Sequence, residues 1–506
     1  MNPQNPPAYL PRGAACVVCR SKKIKCDGNR PKCNQCLRFG KEAECEYGDR
    51  PAPNATRVLE GQIAYLENKI RQFERERSHG GSRHGTSGSR TTVPLSYPTE
   101  PPPEVAQLLI RHFLPHARKV GCFVDLQRIF SPSQDTHSLS ALRTTIYLWG
   151  ARFSRDASYL HRESTFLANA LLWLRHALAS AQQQQRITLN LLQTEVLVAH
   201  YMFSNGRLLE GQSHYSAAVS LALTCGLHKL HTISATPSTG WLPASTTPAE
   251  DIEKVNAWWS IFTLEKSWAA FLDVPTMLTE RADCGTVIET PWPRSSSARI
   301  AFQPGPSPGQ TVKRFMTDVR NDPTSSPLAL QAKAAILLNL SGEVASYQGL
   351  IDPQQLNNAI MGLDQAIEIF KTLLPPTNSP ALSIDVAHEL LLAHSITHAA
   401  TIRLFKNTAA PNKDMKCLKA AFDIVRLISE ANVQAMPYLH PALAMIWGTA
   451  CDVLVPALGL LKANPNLGAS SSFPRMDVLQ NTLDRLRHAM AHFSASVPIF
   501  VGCNFL

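Results

Sequence analysis

Six cysteines fall within thirty residues of this chain: Cys16, Cys19, Cys26, Cys33, Cys36 and Cys45. The run reads C-x2-C-x6-C-x6-C-x2-C-x8-C, two Cys-x2-Cys pairs each followed by one further cysteine. A segment this short and this poor in apolar residues cannot bury a core of its own, so its sulfurs must hold together whatever it forms. Disulfides are one way to do so. They belong mostly to short secreted modules, and the opening MNPQNPPAYLPRG has no apolar run of a secretory leader. Metal ligation is the other way, and the spacing predicts it. Cys-x2-Cys delivers two thiolates to one ion, and zinc takes four in a tetrahedron.

Two ions need eight ligand positions, and the segment holds six cysteines. Either one site is incomplete, or two cysteines bridge both ions. Six thiolates around two Zn²⁺ leave a formal charge of about −2. Compensating charge is at hand. Between Arg12 and Lys41 stand nine Lys or Arg against the single acid Asp27, a net +8 of the whole chain's +10. Basic charge concentrated in one place implies a polyanionic partner. The remaining cysteines, Cys122, Cys225, Cys284, Cys417, Cys451 and Cys503, are scattered in largely apolar surroundings and read as core thiols.

The chain of 506 residues is long enough for two or three domains. Residues 1–11 read as a disordered tail, 12–46 as the cysteine module and 47–58 as a linker. Over 59–77, Leu59, Ile63, Leu66, Ile70 and Phe73 are spaced 4, 3, 4, 3. This is a short heptad seam that predicts a parallel two-stranded coiled coil, with Lys69 and Glu74 of opposite sign at its flanks. Residues 78–103 are Gly, Ser, Thr and Pro with almost nothing apolar, a flexible tether ending in a proline run. From Glu104 the texture becomes Ala/Leu-rich with helical periodicity, and little suggests strands. The expected architecture is all-α: the cysteine module, the coil, the tether, helices over 104–290, a Pro/Ser-rich loop at 291–325 and a second helical half over 326–506. In the segment 251–272, Ile261, Leu264, Trp268 and Phe271 mark one apolar face, with Trp258 a turn earlier.

Cys19-Arg20-x-Lys22-Lys23-x-Lys25-Cys26-Asp27, the turn Arg30-Pro31-Lys32-Cys33 and the cysteine spacing resemble the fungal Zn2Cys6 binuclear-cluster transcription factors. The resemblance implies two zinc ions per chain, bridged by Cys16 and Cys33. Cys19 and Cys26 would complete one site, and Cys36 and Cys45 the other. The x8 gap before Cys45 is at the long end of that family's range. Pro31 matches the proline that shapes the loop between the halves. Lys22 and Lys23 match positions that reach base edges, while Arg20 and Lys25 match positions on the DNA backbone; the charges of Arg30 and Lys32 are expected on phosphates as well. By the same resemblance the chain is a nuclear, DNA-binding regulator of RNA polymerase II transcription that reads CGG-like triplets of double-stranded DNA as a homodimer and works with the transcription machinery. More weakly, Gly206-x4-Gly211 through Gly226-Leu227-His228, with Trp258-Trp259-x2-Phe262, resembles the fungal-specific transcription factor domain. Val255 and Asn256 stand where that domain has arginines, Glu265 stands for an aspartate, and Asp273-Val274-Pro275 replaces Gly-Arg-Pro.

The alternative reading is a metal-dependent RNA-binding or protein-interaction module without base readout. Enzymatic readings find little support. His388 and Glu389 open HELLLAH, but its second histidine, His394, is six residues on, about 240° around a helix. His394 and His398 have helical spacing without a glutamate between them or a third ligand, and read as packed or surface side chains. Gly211-Gln212-Ser213-His214-Tyr215 lacks the closing glycine of a nucleophile elbow. No phosphate-binding glycine loop occurs. Ala442–Leu461 is almost wholly apolar, but it carries Asp452 and Pro456 and is expected as a broken core helix, not a membrane span. The sequence leaves open whether the helical region takes a small-molecule effector.

Overall fold

The computed structural model describes residues 15–46, 100–130, 136–154, 156–230, 240–245, 247–280, 285–294, 310–322, 326–379, 382–408, 410, 412–464 and 473–502. The expected tail, the linker 47–58, the heptad segment with Leu59, Ile63, Leu66, Ile70 and Phe73, and nearly all of the tether lie outside these residues, as do Cys284 and Cys503. The chain divides into two units, Met1–Ser96 and Tyr97–Leu506. Among the described residues every regular element is helical and none is a strand.

The first unit contributes α1 (Val17–Ser21) and α2 (Asn34–Arg38). The second opens with α3 (Pro103–Phe113), α4 (Leu126–Ile129), α5 (His137–Ser154), α6 (Ala157–Leu160), α7 (Glu163–Gln184), α8 (Leu189–Ser204), α9 (Leu208–Thr224) and α10 (Pro248–Phe271). It continues with α11 (Thr311–Thr317), α12 (Pro327–Ser346), α13 (Pro353–Leu373), α14 (Ile384–Lys406), α15 (Lys413–Glu430), α16 (Ala442–Ala463), α17 (Met476–Phe493) and α18 (Ile499–Gly502). Three of the long helices begin alike. Thr247, Ser326 and Asp352 each accept a bond from the first turn, and each is followed by proline, whose missing N–H costs nothing there.

One apolar core runs through the second unit, from Ala106 to Phe500. It crosses the stretch 291–325. Trp259 of α10 packs on Trp292 at 4.2 Å, Trp292 meets Phe315 of α11, and Phe315 meets Phe370 of α13. Helix α10 is buried all round rather than on one face, with Trp258, Trp259 and Trp268 at 0 % exposure. A helix buried on nearly every side is the central helix of a large domain. Its Glu265, the residue standing for an aspartate, accepts bonds from Thr276 Oγ1 at 2.8 Å and the Met277 N–H at 2.6 Å. That holds the turn after Asp273-Val274-Pro275 against the helix. Helix α16 is long and apolar enough to cross a bilayer, yet 56 % of its most apolar window is buried, and it packs on α14, α15 and α17. The break expected at Pro456 is absent: the helix continues through it.

Helices α3 and α5 cross where α5 has no side chain. A Cβ on Gly150 would lie 2.2 Å from the Leu109 carbonyl oxygen, a backbone atom that cannot swing away. Gly→Ala in an open helix stabilises by about 1 kcal/mol. Here the sign reverses: Gly150→Ala is expected to destabilise by about 1–3 kcal/mol, read as a lower urea midpoint for the helical unit.

Candidate metal centre and nucleic-acid interface

The two halves of the cysteine module fold alike. Cys16 caps α1 and its sulfur accepts the Cys19 N–H, while Cys33 caps α2 and its sulfur accepts the Cys36 N–H, each at 3.4 Å. Both helices also end alike. After α1, Ile24 N–H donates to the Cys19 carbonyl and Lys23 N–H to the Arg20 carbonyl. After α2, Lys41 N–H donates to the Cys36 carbonyl and Gly40 N–H to the Leu37 carbonyl. This is the Schellman closure, which needs a left-handed residue at its turn. Gly40 supplies it at φ +61°, and Lys23 supplies it at φ +53°. Five-residue helices are not stable alone, so these two depend on what their cysteines hold.

All six sulfurs are buried, with no residue above 7 % exposure. Cys16 and Cys33 Sγ are 3.7 Å apart, as are Cys16 and Cys36 and also Cys19 and Cys33, far beyond a disulfide bond. Four sulfurs at tetrahedral corners about 2.3 Å from a zinc ion stand about 3.8 Å apart, so the spacing fits. The sulfurs of Cys16, Cys19, Cys26 and Cys33 all lie within 4.8 Å of one another, and so do those of Cys16, Cys33, Cys36 and Cys45. Cys16 and Cys33 belong to both sets. Burial and then neighbouring thiols raise the Cys19 and Cys36 thiols, Cys36 to about 12. The Cys33 N–H, at 3.4 Å from Cys45 Sγ, instead lowers the Cys45 thiol. Thiols crowded this closely lose their protons together only to a cation. Among the described residues, only Ala15 and Val18 pack against the cluster as apolar neighbours.

The cations surround this centre. Arg20, Lys22, Lys23, Lys25 and Arg30 are exposed, and Lys32 is half-buried. Two of them also serve the fold. Arg20 Nη2 donates to the Ala15 carbonyl at 3.2 Å and Lys32 Nζ to the Cys45 carbonyl at 3.3 Å. The Arg30–Pro31 peptide is cis. Two residues escaped the sequence reading. Asp27, quoted in the motif but given no role, accepts from the Asn34 N–H at 3.1 Å and ties the first loop to the start of α2. Arg38 lies in the last turn of α2, as Arg20 does in α1, and lines a small notch with Lys25, Asp27 and Asn34. That repeat of a late-helix arginine was the signal for it.

The histidines of HELLLAH go separate ways within α14. His388 is 2 % exposed and faces a cavity, whereas His394 Nε2 bonds the Pro375 carbonyl at 2.8 Å. His398 Nδ1 lies 3.8 Å from Asp423 of α15.

An all-α chain with a small six-thiolate metal module ahead of a large helical unit defines a zinc-cluster protein. Residues 14–54 match the fungal Zn(2)-Cys(6) binuclear cluster domain, whose resident cofactor is a pair of zinc ions. Residues 14–54 are thus a domain of that family. It is 23 % identical over 311 residues to the notoamide biosynthesis cluster transcriptional coactivator notQ′ of Aspergillus versicolor, covering 56 % of this chain and 58 % of that one. It is 45 % identical over 56 residues to the transcription factor ecdB of Aspergillus rugulosus, 11 % of this chain and 10 % of that one. With the transcriptional activator protein acu-15 of Neurospora crassa it shares 44 % over 64 residues, 12 % of this chain and 7 % of the other. The chain thus spans little more than half the length of the first relative and a tenth or less of the other two.

Proposed function

We propose that the chain is a nuclear, zinc-dependent, sequence-specific DNA-binding regulator of RNA polymerase II transcription. The observation that carries this reading is the sharing of Cys16 and Cys33 between two four-sulfur sets, directly beneath a helix that ends in exposed lysines. Cys16 and Cys33 bridge two zinc ions. Cys19 and Cys26 complete one tetrahedron, Cys36 and Cys45 the other. The zinc pair supplies the folding free energy of the module and performs no chemistry on DNA.

Lys22 and Lys23 then enter the major groove, where guanine offers O6 and N7 as acceptors. Arg20, Lys25, Arg30 and Lys32, joined by Arg38, lie on phosphates and set the register. Arg20 spends one donor on Ala15 and has others left for a phosphate. One module reads few bases, so address comes from pairing two copies through 59–77, with the linker 47–58 setting the distance between CGG-like triplets. The helical unit is the regulatory part, akin to the fungal-specific transcription factor domain. The names of the relatives, a coactivator and an activator, support the regulatory reading.

Selection of bound sequences from a random duplex pool tests it. Paired CGG-like triplets at one fixed spacing are expected. Enrichment without sequence preference, or outcompetition of duplex by structured RNA, would favour the module without base readout.

A further inference from the structure

The helical unit holds a partly open cavity of about 500 Å³, within the range of small-molecule sites. Along its wall runs a polar stripe on α10. Asn256, Ser260, Thr263 and Ser267 are spaced 4, 3, 4, so they share one face of a helix that is otherwise core. The opposite walls bring His200 from α8 and His388 from α14. Gly121, at φ +78°, forms a third side. A Cβ there would meet His200 Nε2 at 3.0 Å, so glycine lets the 121–124 loop lie on the imidazole. Gln193 fixes that loop, accepting from the Phe123 N–H at 2.6 Å and donating to the Gly121 carbonyl at 3.0 Å.

Five residues of these walls each carry a polar atom that is itself buried and has no hydrogen-bond partner among the described residues: Thr263 Oγ1, Ser267 Oγ, Trp268 Nε1, His200 Nδ1 and His388 Nε2. Their side chains are all at least nine-tenths buried. Each unmet group of this kind costs about 1–3 kcal/mol, so an occupant toward which these side chains could turn would be held by them. Three pairs take up most of the charge nearby, and Arg294 of the lining is exposed. Lys119 Nζ is 2.8 Å from Asp385, Arg128 Nη2 is 2.5 Å from Glu253, and Arg118 Nε is 3.7 Å from Glu389. Burial holds both imidazoles neutral, His200 down to about 4 and His388 down to about 3. Trp268 can only donate, the hydroxyls donate or accept, and the neutral imidazoles do either. The complement common to all is an oxygen atom without charge. Between the polar groups the lining is apolar, from Leu264, Leu392 and Ile396.

We infer that this cavity binds an uncharged small molecule with an apolar skeleton bearing carbonyl or hydroxyl oxygens. The site lies wholly in the helical unit and stands independently of the DNA reading.

The fluorene series isolates the chemistry: fluorenone and fluorenol against fluorene, which lacks the oxygen, and fluorene carboxylate, which adds a charge that the exposed Arg294 at the lining could attract. Titration into the full zinc-loaded chain is followed by calorimetry and by melting temperature, which rises with the logarithm of probe concentration if the native state binds. Fluorenone or fluorenol is expected to bind about tenfold tighter than fluorene and than the carboxylate. The isosteric T263V/S267A chain is expected to melt at the same temperature or higher, because it no longer buries unmet hydroxyls, and to lose that tenfold preference. Equal binding of fluorene, preference for the carboxylate, or no binding by any of the four overturns the inference on the parent chain alone. A lower melting temperature for unliganded T263V/S267A also overturns it, because the hydroxyls would then be structural.

Discussion

A Cys33→Ser chain is expected to lose both zinc ions, the fold of residues 15–46 and duplex binding in one step. Among the described residues the module has six buried sulfurs and only two small apolar neighbours, Ala15 and Val18, so no packed core of these residues remains when the metal leaves. Zinc binding in small thiolate modules supplies roughly 10–16 kcal/mol, which nothing else here can replace. Cys33 also caps α2, and its sulfur belongs to both four-sulfur sets. Removing it breaks both tetrahedra, whereas Cys45→Ser removes a ligand from one set alone. Elemental analysis after gel filtration under reducing conditions should find two zinc ions per parent chain, close to none for Cys33→Ser, and an intermediate content for Cys45→Ser. Hydrogen exchange over 15–46 should become fast while the helical unit melts unchanged. A Cys33→Ser chain that keeps one full equivalent of zinc would show that this thiolate does not bridge.

How far the sequence reveals this molecule depends on how local each feature is. The cysteine spacing is local, and the metal centre was legible because Cys-x2-Cys pairs can do little else. Helices were legible for the same reason. Within the helical half expected over 326–506 stand α12 (Pro327–Ser346) and α13 (Pro353–Leu373), with starts set by the caps Ser326 and Asp352. The apolar face read on α10 was too narrow, because a helix surrounded by α8, α9, α12 and the aromatic chain through Trp292 has no outer face. The break expected at Pro456 failed because packing on α14, α15 and α17 outweighs one lost backbone bond. The cavity could not be read at all. Asn256, Ser260, Thr263 and Ser267 look like an ordinary solvated stripe until the fold brings His200 and His388 across from them. Asp27 received no role because its partner, the Asn34 N–H, is a backbone group that sequence does not display.

Replacing Lys22 with Ala and Lys23 with Gly should separate base reading from folding, with the second largest loss. The two ends of the module make the case. Gly40 closes α2 in the left-handed region at no steric cost, whereas Lys23 closes α1 in the same conformation, at about 1 kcal/mol for a residue with a Cβ. A lysine held where glycine fits better is explained by what its ammonium does outside the fold. Lys23→Gly relieves the backbone, and Lys22→Ala trims an exposed side chain, so the double variant should keep two zinc ions and full exchange protection. Its affinity for the selected duplex should fall about a hundredfold or more, at about 1–3 kcal/mol per lost base contact. Binding to unrelated duplex should fall far less, with a nearly unchanged salt dependence, because the phosphate contacts remain. Arg30→Ala is the contrasting variant. It should weaken selected and unrelated duplexes by the same factor, as a phosphate contact must. If K22A/K23G lowers both equally, the lysines are phosphate contacts too, and base reading belongs elsewhere on the module.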